Sequence, residues 1–578
     1  MGLPDSSQYT RCPEPTSSTP CACGSIGGYD VRRLSLIGAS LTDRSRGHKR
    51  EDARYDPRVQ RLRSAIVVTT LVVIALALVV ALAGAQTIAP TPAPSTLSDA
   101  LDAGFRAWVV DPLSAFIFFD AVFWDDTTRV PLVVLWLACS ALFFTLRLRF
   151  VNVRAFRHAL AVTAGHWDVP HEKGEVTHFQ ALASALSGTI GLGNIAGVAI
   201  AMSLGGPGAM VWMTVAGFLG MTSKLVECTL GMLYREIDAQ GRVSGGPMHY
   251  LEAGLRERAM PRLGKALAIT FAMLCIGGSL GGGNMFQANQ AFAQVASTVP
   301  LFAGRGWLFG LALAALVGVV ILGGIKRIGR VAEALVPAMC VLYTIGAIAV
   351  LVVNAARVPD AIVTIVREAF SPRAGIGGLV GVLVVGFQRA GFSNEAGIGS
   401  ASIAHSAATT GEPVREGIVA LLEPFIDTIV ICNTTALVVV VSGVLGEPGA
   451  TGDGVLLTSR AFATVMPWFP WVLSIAVLLF AYATMLSWSY YGERCATWLL
   501  GARIGRERAS LAYKILFLAC TVLGATLHLG SVLDFSDLMI LGMAFPNVVG
   551  LVLLLPRVTR ALDDYWARYR AGTMTRPR

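Results

Sequence analysis

The sequence predicts an all-α polytopic membrane protein in which most of the chain forms one helical bundle. Of its 578 residues, 54% are hydrophobic and only 14% are charged, and the mean hydropathy is +0.62. Soluble domains carry about 25% charged residues, so much of this surface must face lipid. Apolar runs recur almost without pause from Val130 to Leu555, with basic residues between them. A set of separate soluble domains is therefore excluded.

The net charge of +9 has a distribution that argues against a nucleic-acid partner. Arg and Lys cluster in the segments between apolar runs and do not follow one amphipathic face. This alternation is typical of the positive-inside bias of membrane proteins. The bilayer is thus the expected partner, and the basic loops are expected in the cytoplasm.

The N-terminal part divides into three predicted segments. Residues 1–63 are rich in Ser, Pro, Gly and Arg and are expected to be a disordered, basic cytoplasmic tail. Residues 64–85 carry no charge and are long enough to cross a membrane. They end in small residues, so both an extra transmembrane helix and a signal-like segment stay open. Residues 86–129 are expected to be an extracytoplasmic linker.

The rest of the chain predicts eleven further spans. A peripheral helix is expected at 130–150, followed by two blocks of five spans at 177–353 and 375–556, and a basic cytoplasmic tail at 557–578. With the segment at 64–85, twelve spans place both termini in the cytoplasm. The ten spans of the two blocks are predicted at 177–203, 209–234, 264–299, 307–323, 331–353, 375–404, 417–444, 470–492, 511–527 and 532–555.

Each block opens with a span that glycines interrupt. The first contains Gly188, Gly191, Gly193 and Gly197, and the second contains Gly386, Gly391, Gly397 and Gly399. Because each block has an odd number of spans, the second block must be inverted relative to the first. An inverted-topology duplication with broken helices is typical of secondary transporters.

Broken helices suit a site for a small zwitterion and a cation. Unpaired backbone groups at membrane depth are tolerated only where they face a cavity or a ligand. A half-helix N-terminus attracts a carboxylate, and free carbonyl oxygens can coordinate a cation. Glycines that serve only helix packing are the alternative. The polar neighbours favour a binding site, because such groups are costly in a membrane; they are Thr189, Asn194, Ser393, Asn394 and Glu395.

Several long motifs resemble the alanine or glycine:cation symporter family. They are SGTIGLGNIAGVAIAMSLGGPGAMVWM, KLVECTLGMLYRE with SGGPMHYLEAGL, GFQRAGFSNEAGIGSASIAHS, EPFIDTIVICNTTA and LSWSYYGER. The resemblance covers roughly 130–560 and implies a leucine-transporter-like fold of two inverted five-helix repeats, with one or two extra N-terminal helices here. It also implies uptake of alanine or glycine with sodium by alternating access. Two positions depart from the family pattern: Gln388 precedes Arg389 in place of a lysine, and Leu192 replaces a threonine.

The resemblance and the break pattern together select site residues. Thr189, Gly191, Gly193 and Asn194 are expected to bind substrate at the first break. Gly386, Phe387 and Gln388 are expected to form the facing break, where Phe387 and Gln388 contact the substrate. For residues 393–399, a position at the site and a position at the cytoplasmic exit both stay open. Gln287 and Trp488 are further expected substrate contacts. The fold that the resemblance implies places sodium at the hydroxyls of Thr484 and Ser487, with backbone carbonyls near Gly188 and Gly191.

Other buried polar residues leave alternatives open. Lys224 and Glu227 are expected to neutralise each other, since lone charges in a membrane are costly. Glu423 and Asp427 are candidates for a proton relay, an ion ligand or a polar network, and proton coupling stays an alternative to sodium. Asn284 is expected to bond between helices or to contact substrate.

The expected function is thus a symporter of the bacterial inner membrane. No cofactor besides the coupling ion is expected. An enzyme is disfavoured, because the GGSLG segment at Gly277–Gly281 lies in an apolar span without the strand–turn–helix context of a hydrolase. A channel is the nearest other class, but it would use continuous pore helices. The sequence leaves the preferred amino acid and the oligomeric state open.

Overall fold

The computed structural model describes residues 129–574, apart from 170–171, 240, 371–377 and 447–453, together with scattered residues between 102 and 122. The predictions for 1–63, for 64–85 and for most of the linker lie outside the described residues. Within these limits the protein is almost wholly helical, and the one sheet pairs two antiparallel two-residue strands, β1 (Glu236–Ile237) and β2 (Val243–Ser244). The prediction of an all-α polytopic protein is confirmed.

The first half of the bundle begins with a peripheral helix and a short helix beside it. The helices to the end of the first block are α1 (Leu132–Arg147), α2 (Phe156–Thr163), α3 (His178–Thr189), α4 (Val198–Gly205), α5 (Ala209–Leu233), α6 (Pro247–Glu257), α7 (Pro261–Leu280), α8 (Phe286–Thr298), α9 (Gly306–Ile321) and α10 (Gly324–Val353). Two π-helical turns interrupt this half, Gly193–Gly197 before α4 and Gly281–Met285 between α7 and α8.

The second half repeats the pattern of a broken helix followed by long helices. Its helices are α11 (Val358–Ala369), α12 (Gly378–Asn394), α13 (Ala401–His405), α14 (Pro413–Ala420), α15 (Asn433–Ser442), α16 (Val455–Ala463), α17 (Phe469–Ile504), α18 (Arg506–Gly524), α19 (Leu529–Gly542) and α20 (Ala544–Arg570). A one-turn helix, Leu422–Pro424, and a π-helical segment, Phe425–Cys432, join α14 to α15.

Six of the described helices are long and apolar enough to cross a membrane, and α3 with Gly193–Gly205 makes a seventh span bent by 50°. The six are Ala209–Leu233, Pro261–Thr298, Ile325–Val353, Pro413–Ser442, Phe469–Ile504 and Leu529–Arg570. The remaining predicted spans of the bundle are occupied by the shorter helices α1, α9 and α12 and by α18. α17 and α20 extend well beyond their predicted ends at 492 and 555.

The two broken helices run in opposite directions, as the inverted repeat requires. Val176, just before α3, forms a parallel bridge with Ala408, just after α13. The start of the first broken helix and the end of the second therefore meet at one end of the bundle. We call this end the basic side, because Arg235 and Arg568 lie there.

Arg235 connects the segments that meet on the basic side through hydrogen bonds. Its guanidinium donates hydrogen bonds to four backbone carbonyls, those of Lys173, Ser406, Ala408 and Thr410, at 2.6–3.0 Å. A guanidinium offers five N–H donors in a fixed plane, which suits several carbonyls at once. The basic side is closed in this structure.

The second break lies further along the chain than predicted. α12 continues through Gly386, Phe387 and Gln388 to Asn394, and helical structure is interrupted only between Glu395 and Ser400. A Cβ at Gly386 would lie 2.6 Å from the Cβ of Trp212 on α5. This glycine therefore allows close helix packing, and the prediction of a break at Gly386–Gln388 is wrong.

Candidate functional site

A small cavity lies between the two breaks, in the middle of the bundle. Its walls come from both broken helices, from the π-helical turn after α7, from α17 and from α19. The lining residues are Gly188, Thr189, Gly191, Gly193, Gly282, Gln287, Phe392, Glu395, Thr484, Trp488 and Ile540. Thr189, Gly191, Gly193, Gln287, Trp488 and Thr484 were singled out from the sequence, so six predicted residues lie at one site.

The first break is formed by residues 190–192, and the N–H groups of Gly191 and Leu192 bond outside the helical pattern. The Gly191 N–H donates to the carbonyl of Thr189 at 2.9 Å and to the Asn194 Oδ1 at 3.1 Å. The Leu192 N–H donates to the Gln287 Oε1 at 3.0 Å. Because a helical carbonyl normally accepts from the fourth residue onward, the carbonyls of Ser187 and Gly188 lose these partners.

The break also exposes a backbone donor. Among the described residues no acceptor pairs with the Gly193 N–H, which stands at the start of the π-helical turn. Buried N–H groups without a partner are rare in native structures. At a helix N-terminus such a group attracts an anion, and here it faces the cavity.

Gln287 and Asn194 hold the first break in shape. Gln287 also donates from Nε2 to the carbonyl of Gly282 at 2.9 Å, so its amide links α8 to the break. Asn194 does not line the cavity; its Nδ2 donates to the Asp427 Oδ1 at 2.6 Å. Leu192 contributes to the break through its backbone, since its N–H donates to Gln287 and its carbonyl accepts from the N–H groups of Ala196 and Gly197.

The proposed cation ligands lie where α17 passes the first broken helix. Ser487 Oγ donates to the Ser184 carbonyl at 2.7 Å, and Ser187 Oγ donates to the Ala483 carbonyl at 2.7 Å. These reciprocal bonds bring the Thr484 hydroxyl against Gly191, and this buried hydroxyl has no hydrogen-bond partner among the residues that the structure describes.

The atoms around Thr484 suit a hard cation. The Ser187 and Gly188 carbonyls, which have lost their helical N–H partners, belong to the segment that Thr484 and Ser487 contact. Hard cations prefer oxygen ligands from carbonyls and hydroxyls. An orphaned buried hydroxyl is costly unless something binds it.

Glu395 is the one acidic residue that lines the cavity in the described part of the chain. The indole N–H of Trp488 donates to its Oε1 at 3.0 Å, and the Ser400 hydroxyl donates to its Oε2. No Lys or Arg of the described residues forms an ion pair with it. Its φ of +56° is unusual for a residue with a side chain, and such backbone strain often marks a functional position.

The apolar walls differ from those predicted. Phe392, one turn before the break, lines the cavity with Trp488 and Ile540. Phe387 and Gln388 lie earlier in α12 and do not line it, because α12 has not yet reached the break. Gln388 instead donates to the Asp537 Oδ2 at 3.0 Å.

Asp427 joins the two breaks behind the cavity. Ser393 Oγ and Thr428 Oγ1 donate to its Oδ2 at 2.9 and 2.7 Å, and Asn194 donates to Oδ1. Ser393 belongs to the second broken helix and Asn194 to the first. Asp427 was a candidate for a proton relay, an ion ligand or a polar network. These contacts are those of a polar network.

Other predicted polar residues also have partners. Lys224 Nζ lies 3.8 Å from Glu227, as expected, but only 3.0 Å from Glu423 on another helix. Asn284 bonds between helices, since its Nδ2 donates to the Phe517 carbonyl at 2.6 Å and its Oδ1 accepts from Thr521 at 2.9 Å. The interhelical alternative for Asn284 is thus the one observed.

From the sequence, Glu395 is a polar neighbour of the site without an assigned role, and Phe392 and Asp537 are not among the predicted site residues. Glu395 and Phe392 belong to the glycine motif whose first glycine is the predicted break. Asp537 lies in a mostly apolar predicted span that also contains Asp534, and it forms a buried ion pair with Arg389. A carboxylate within a predicted span is the available signal, because it requires a partner when it is buried.

Comparison with known proteins gives several matches. Residues 119–577 match the model of the sodium:alanine symporter family. The sodium/alanine symporter AgcS of Methanococcus maripaludis is 40% identical over 73% of this chain and 92% of its own length. The probable sodium/glutamine symporter GlnT of Bacillus subtilis is 34% identical over 78% of this chain and 90% of its own length. The crystal structure of MhsT in complex with L-phenylalanine covers 67% of this chain and 99% of that chain, with 15% identity and a TM-score of 0.44.

Proposed function

Because the chain belongs to the sodium:alanine symporter family and is a sodium-coupled amino-acid symporter, we propose that it imports a small neutral amino acid, alanine or glycine, by alternating access. The observation that carries this proposal is the cavity between the two breaks. It offers a backbone donor on one side, a carboxylate on the other and apolar walls between them.

The two ends of an amino-acid zwitterion have complementary partners in this cavity. The substrate carboxylate binds the Gly193 N–H, where the dipole of the second half-helix favours negative charge. The substrate ammonium binds Glu395, whose carboxylate has no ion-pair partner among the described Lys and Arg residues. A buried carboxylate that faces a cationic ligand is stabilised by it, which makes binding selective for the zwitterion.

The size of the substrate side chain is limited by Phe392, Trp488 and Ile540. A Cβ added at Gly282 would overlap Ile540 and lie 3.2 Å from the Phe392 ring. These walls therefore stand close together across the cavity. We assign a methyl group or a hydrogen to the side-chain position, which corresponds to alanine or glycine.

Sodium binds beside the substrate, at Thr484 and Ser487 and the carbonyls of Ser187 and Gly188. These carbonyls are free because residues 190–192 bend away from the helix. An ion bound here links α17 to the first broken helix. The same bend thus supplies a donor for the substrate and acceptors for the ion, so that each ligand stabilises the backbone geometry that the other requires.

The basic side is the cytoplasmic side in this proposal, and the membrane is the bacterial inner membrane. Arg235 and the basic residues near the end of α20 lie on this side. The excess of basic residues supports a cytoplasmic position. The structure, closed at the basic side, then represents a state before substrate release.

Uptake by proteoliposomes tests the proposal. We expect radiolabelled alanine to accumulate when a sodium gradient is imposed, and unlabelled glycine to compete better than glutamine. Lithium and proton gradients serve as the alternative driving forces. Accumulation driven by a proton gradient alone would replace sodium with the proton as the coupling ion. Sodium-independent flux that does not saturate would contradict the symporter and favour a channel.

A further inference from the structure

A row of five ionisable side chains extends inward from the basic side, and none of the five lines the proposed substrate cavity. His178 Nδ1 is hydrogen-bonded to Glu416 Oε2, and Glu416 Oε1 lies 2.5 Å from His405 Nδ1. His405 Nε2 lies 2.5 Å from Glu423 Oε1, and Glu423 Oε2 lies 3.0 Å from Lys224 Nζ. All five side chains are at most 2% exposed. We call these residues the carboxylate–histidine row.

The row joins the elements that form the closed basic side. His178 begins α3, Glu416 lies in α14, and His405 ends α13. Lys224 lies in α5, which contacts α13, α14 and the turn that carries Glu423. An opening on the basic side that separates α3 from α13 and α14 would have to break the row.

The hydrogen-bond geometry at His405 requires one more proton than a neutral imidazole and two ionised carboxylates carry. An ionised carboxylate can only accept hydrogen bonds, and a neutral imidazole donates from one nitrogen only. Both nitrogens of His405 nevertheless lie 2.5 Å from a carboxylate oxygen. Either the ring is an imidazolium or one of the two carboxyl groups is protonated. In both cases one additional proton is shared among Glu416, His405 and Glu423.

Charge balance in the row agrees with this count. Without the additional proton, and with both histidines neutral, Glu416, Glu423, Glu227 and Lys224 carry a net charge of about −2 in the interior, where unpaired charge is strongly unfavourable. One proton reduces this to about −1. Besides these four residues, the charged or titratable groups that face the row are Cys228, Arg235, Tyr491, Glu395, Asp427 and Asp168.

A metal ion fits this row less well than a proton. Cys228, His405 and Glu423 place one possible ligand atom each within 4.8 Å of one another. Both ring nitrogens of His405 are already hydrogen-bonded, however, and the Lys224 ammonium already lies beside Glu423. A divalent cation would have to displace these partners beside a fixed positive charge.

We propose that the carboxylate–histidine row is a proton-binding site, which holds one proton between Glu416 and Glu423 while the basic side is closed and releases it to water on that side when it opens. The N–H bond at the His405 ring breaks, the ring keeps the electron pair, and the proton passes to water that enters between α3 and α14. The proposal rests on alternating access, which is part of the proposed function.

A consequence for transport follows from linkage. A ligand that binds one of two states shifts the equilibrium toward that state, and the shift depends on the ligand concentration. Acid on the basic side therefore favours the closed state and slows release of substrate. Beyond Lys224, Glu227 lies 3.8 Å from the ammonium and accepts a hydrogen bond from Asn547. In this proposal the proton exchanges with water on the basic side.

Uptake by right-side-out vesicles with a fixed external pH and sodium gradient tests this consequence. We expect the initial rate of alanine uptake to fall at least about threefold when the internal pH is lowered from about 8 to about 6. In a His405→Gln variant, which keeps one donor and one acceptor at this position, the rate should be nearly independent of internal pH. An unchanged wild-type rate, or a variant that keeps the wild-type dependence, would overturn the proposal.

His158→Asn is the matched control. His158 is also a buried histidine near the basic side, but its Nε2 bonds to the Tyr565 hydroxyl at 2.7 Å. Burial, and to a lesser extent the charge of Arg415, lower the pKa of His158 to about 4. It is therefore neutral throughout the tested range, and its replacement should leave the internal pH dependence intact.

Labelling of Cys228 gives a second readout that needs no amino acid. Cys228 is buried beside His405 and Glu423, so an impermeant maleimide reaches it only after the basic side opens. Peptide mass spectrometry measures the labelling rate of Cys228. At each pH this rate is divided by the rate in the His405→Gln protein. The ratio removes the intrinsic pH dependence of thiol reactivity. We expect this ratio to rise between about pH 6 and 8 as the proton leaves the row. A constant ratio contradicts the proton site, whereas a rising ratio without alanine uptake contradicts only the proposed substrate.

Discussion

The hydroxyl of Thr484 on α17 occupies the space in which a Cβ of residue 191 would lie. Gly191 leaves this space free, and the hydroxyl, although buried, has no hydrogen-bond partner in the described part of the chain. The glycine on the first broken helix and the threonine on α17 are thus sterically complementary.

Replacement of Thr484 by alanine should weaken sodium dependence. The variant loses one of the proposed ligand oxygens, so we expect the sodium concentration for half-maximal uptake to rise about tenfold or more, which corresponds to about 1.4 kcal/mol. The measurement is alanine uptake as a function of sodium concentration. Thr497→Ala, on the same helix, is the control, because the Thr497 hydroxyl bonds only to backbone carbonyls of its own helix. Normal sodium dependence in Thr484→Ala would exclude this site.

Replacement of Gly191 by alanine should abolish most uptake while leaving the protein folded. The new methyl group would overlap Thr484 Oγ1 and lie 3.2 Å from Gln287 Oε1, and overpacking of this kind costs about 1–3 kcal/mol. Gly197→Ala is the control, because a Cβ there has no neighbour within 4 Å. We expect Gly197→Ala to transport like the wild type. Equal uptake by both variants would show that the space at Gly191 is not used.

Replacement of Glu395 by glutamine should raise the KM for alanine. The amide keeps an oxygen for the Trp488 indole N–H and an N–H₂ group toward Ser400, so folding should be preserved. It lacks the negative charge that we assign to the substrate ammonium, and hydrogen bonds to charged groups are worth about 1.5–3 kcal/mol. A KM increase of roughly tenfold to a hundredfold follows. Saturation uptake kinetics, with the thermal midpoint as a folding control, measure this; an unchanged KM would remove Glu395 from the site.

The buried ion pair between Arg389 and Asp537 should be a stability determinant. Both side chains are about 5% exposed, and removal of one partner of such a pair costs about 3–5 kcal/mol because it leaves a buried charge. Asp537→Asn should therefore lower the thermal midpoint of the purified protein markedly. The double variant Arg389→Gln with Asp537→Asn should recover part of the loss, since neither charge remains. A single variant as stable as the wild type would contradict this role.

The residues that define the class of protein and the first break were evident from the sequence. Hydropathy and charge alternation depend only on composition along the chain, and the polar residues around Gly191 lie in one continuous segment. Thr484 and Ser487 were predicted from the fold that the family resemblance implies, and their spacing of three residues is consistent with one shared helix face. These features are local, or they repeat with the helix period.

The second break could not be located in this way. Two groups of glycines in the same segment, at Gly386–Gly391 and at Gly397–Gly399, predict a break equally well. Gly386 turns out to pack against Trp212, while helical structure is interrupted between Glu395 and Ser400. Whether a glycine packs or bends depends on the helix that lies against it, which a single segment does not contain.

The sequence by itself thus determined that the chain is a membrane-embedded helical transporter with two broken helices in inverted blocks. Only the tertiary structure decided which carboxylate faces the cavity, that Gln287 and Asn194 shape the first break, and that His178, His405, Glu416 and Glu423 form one row. Hydrogen-bonded residues of this row are up to 238 positions apart along the chain. Their pairing follows from the need to satisfy every charge buried in the bundle, and this requirement is met only between helices.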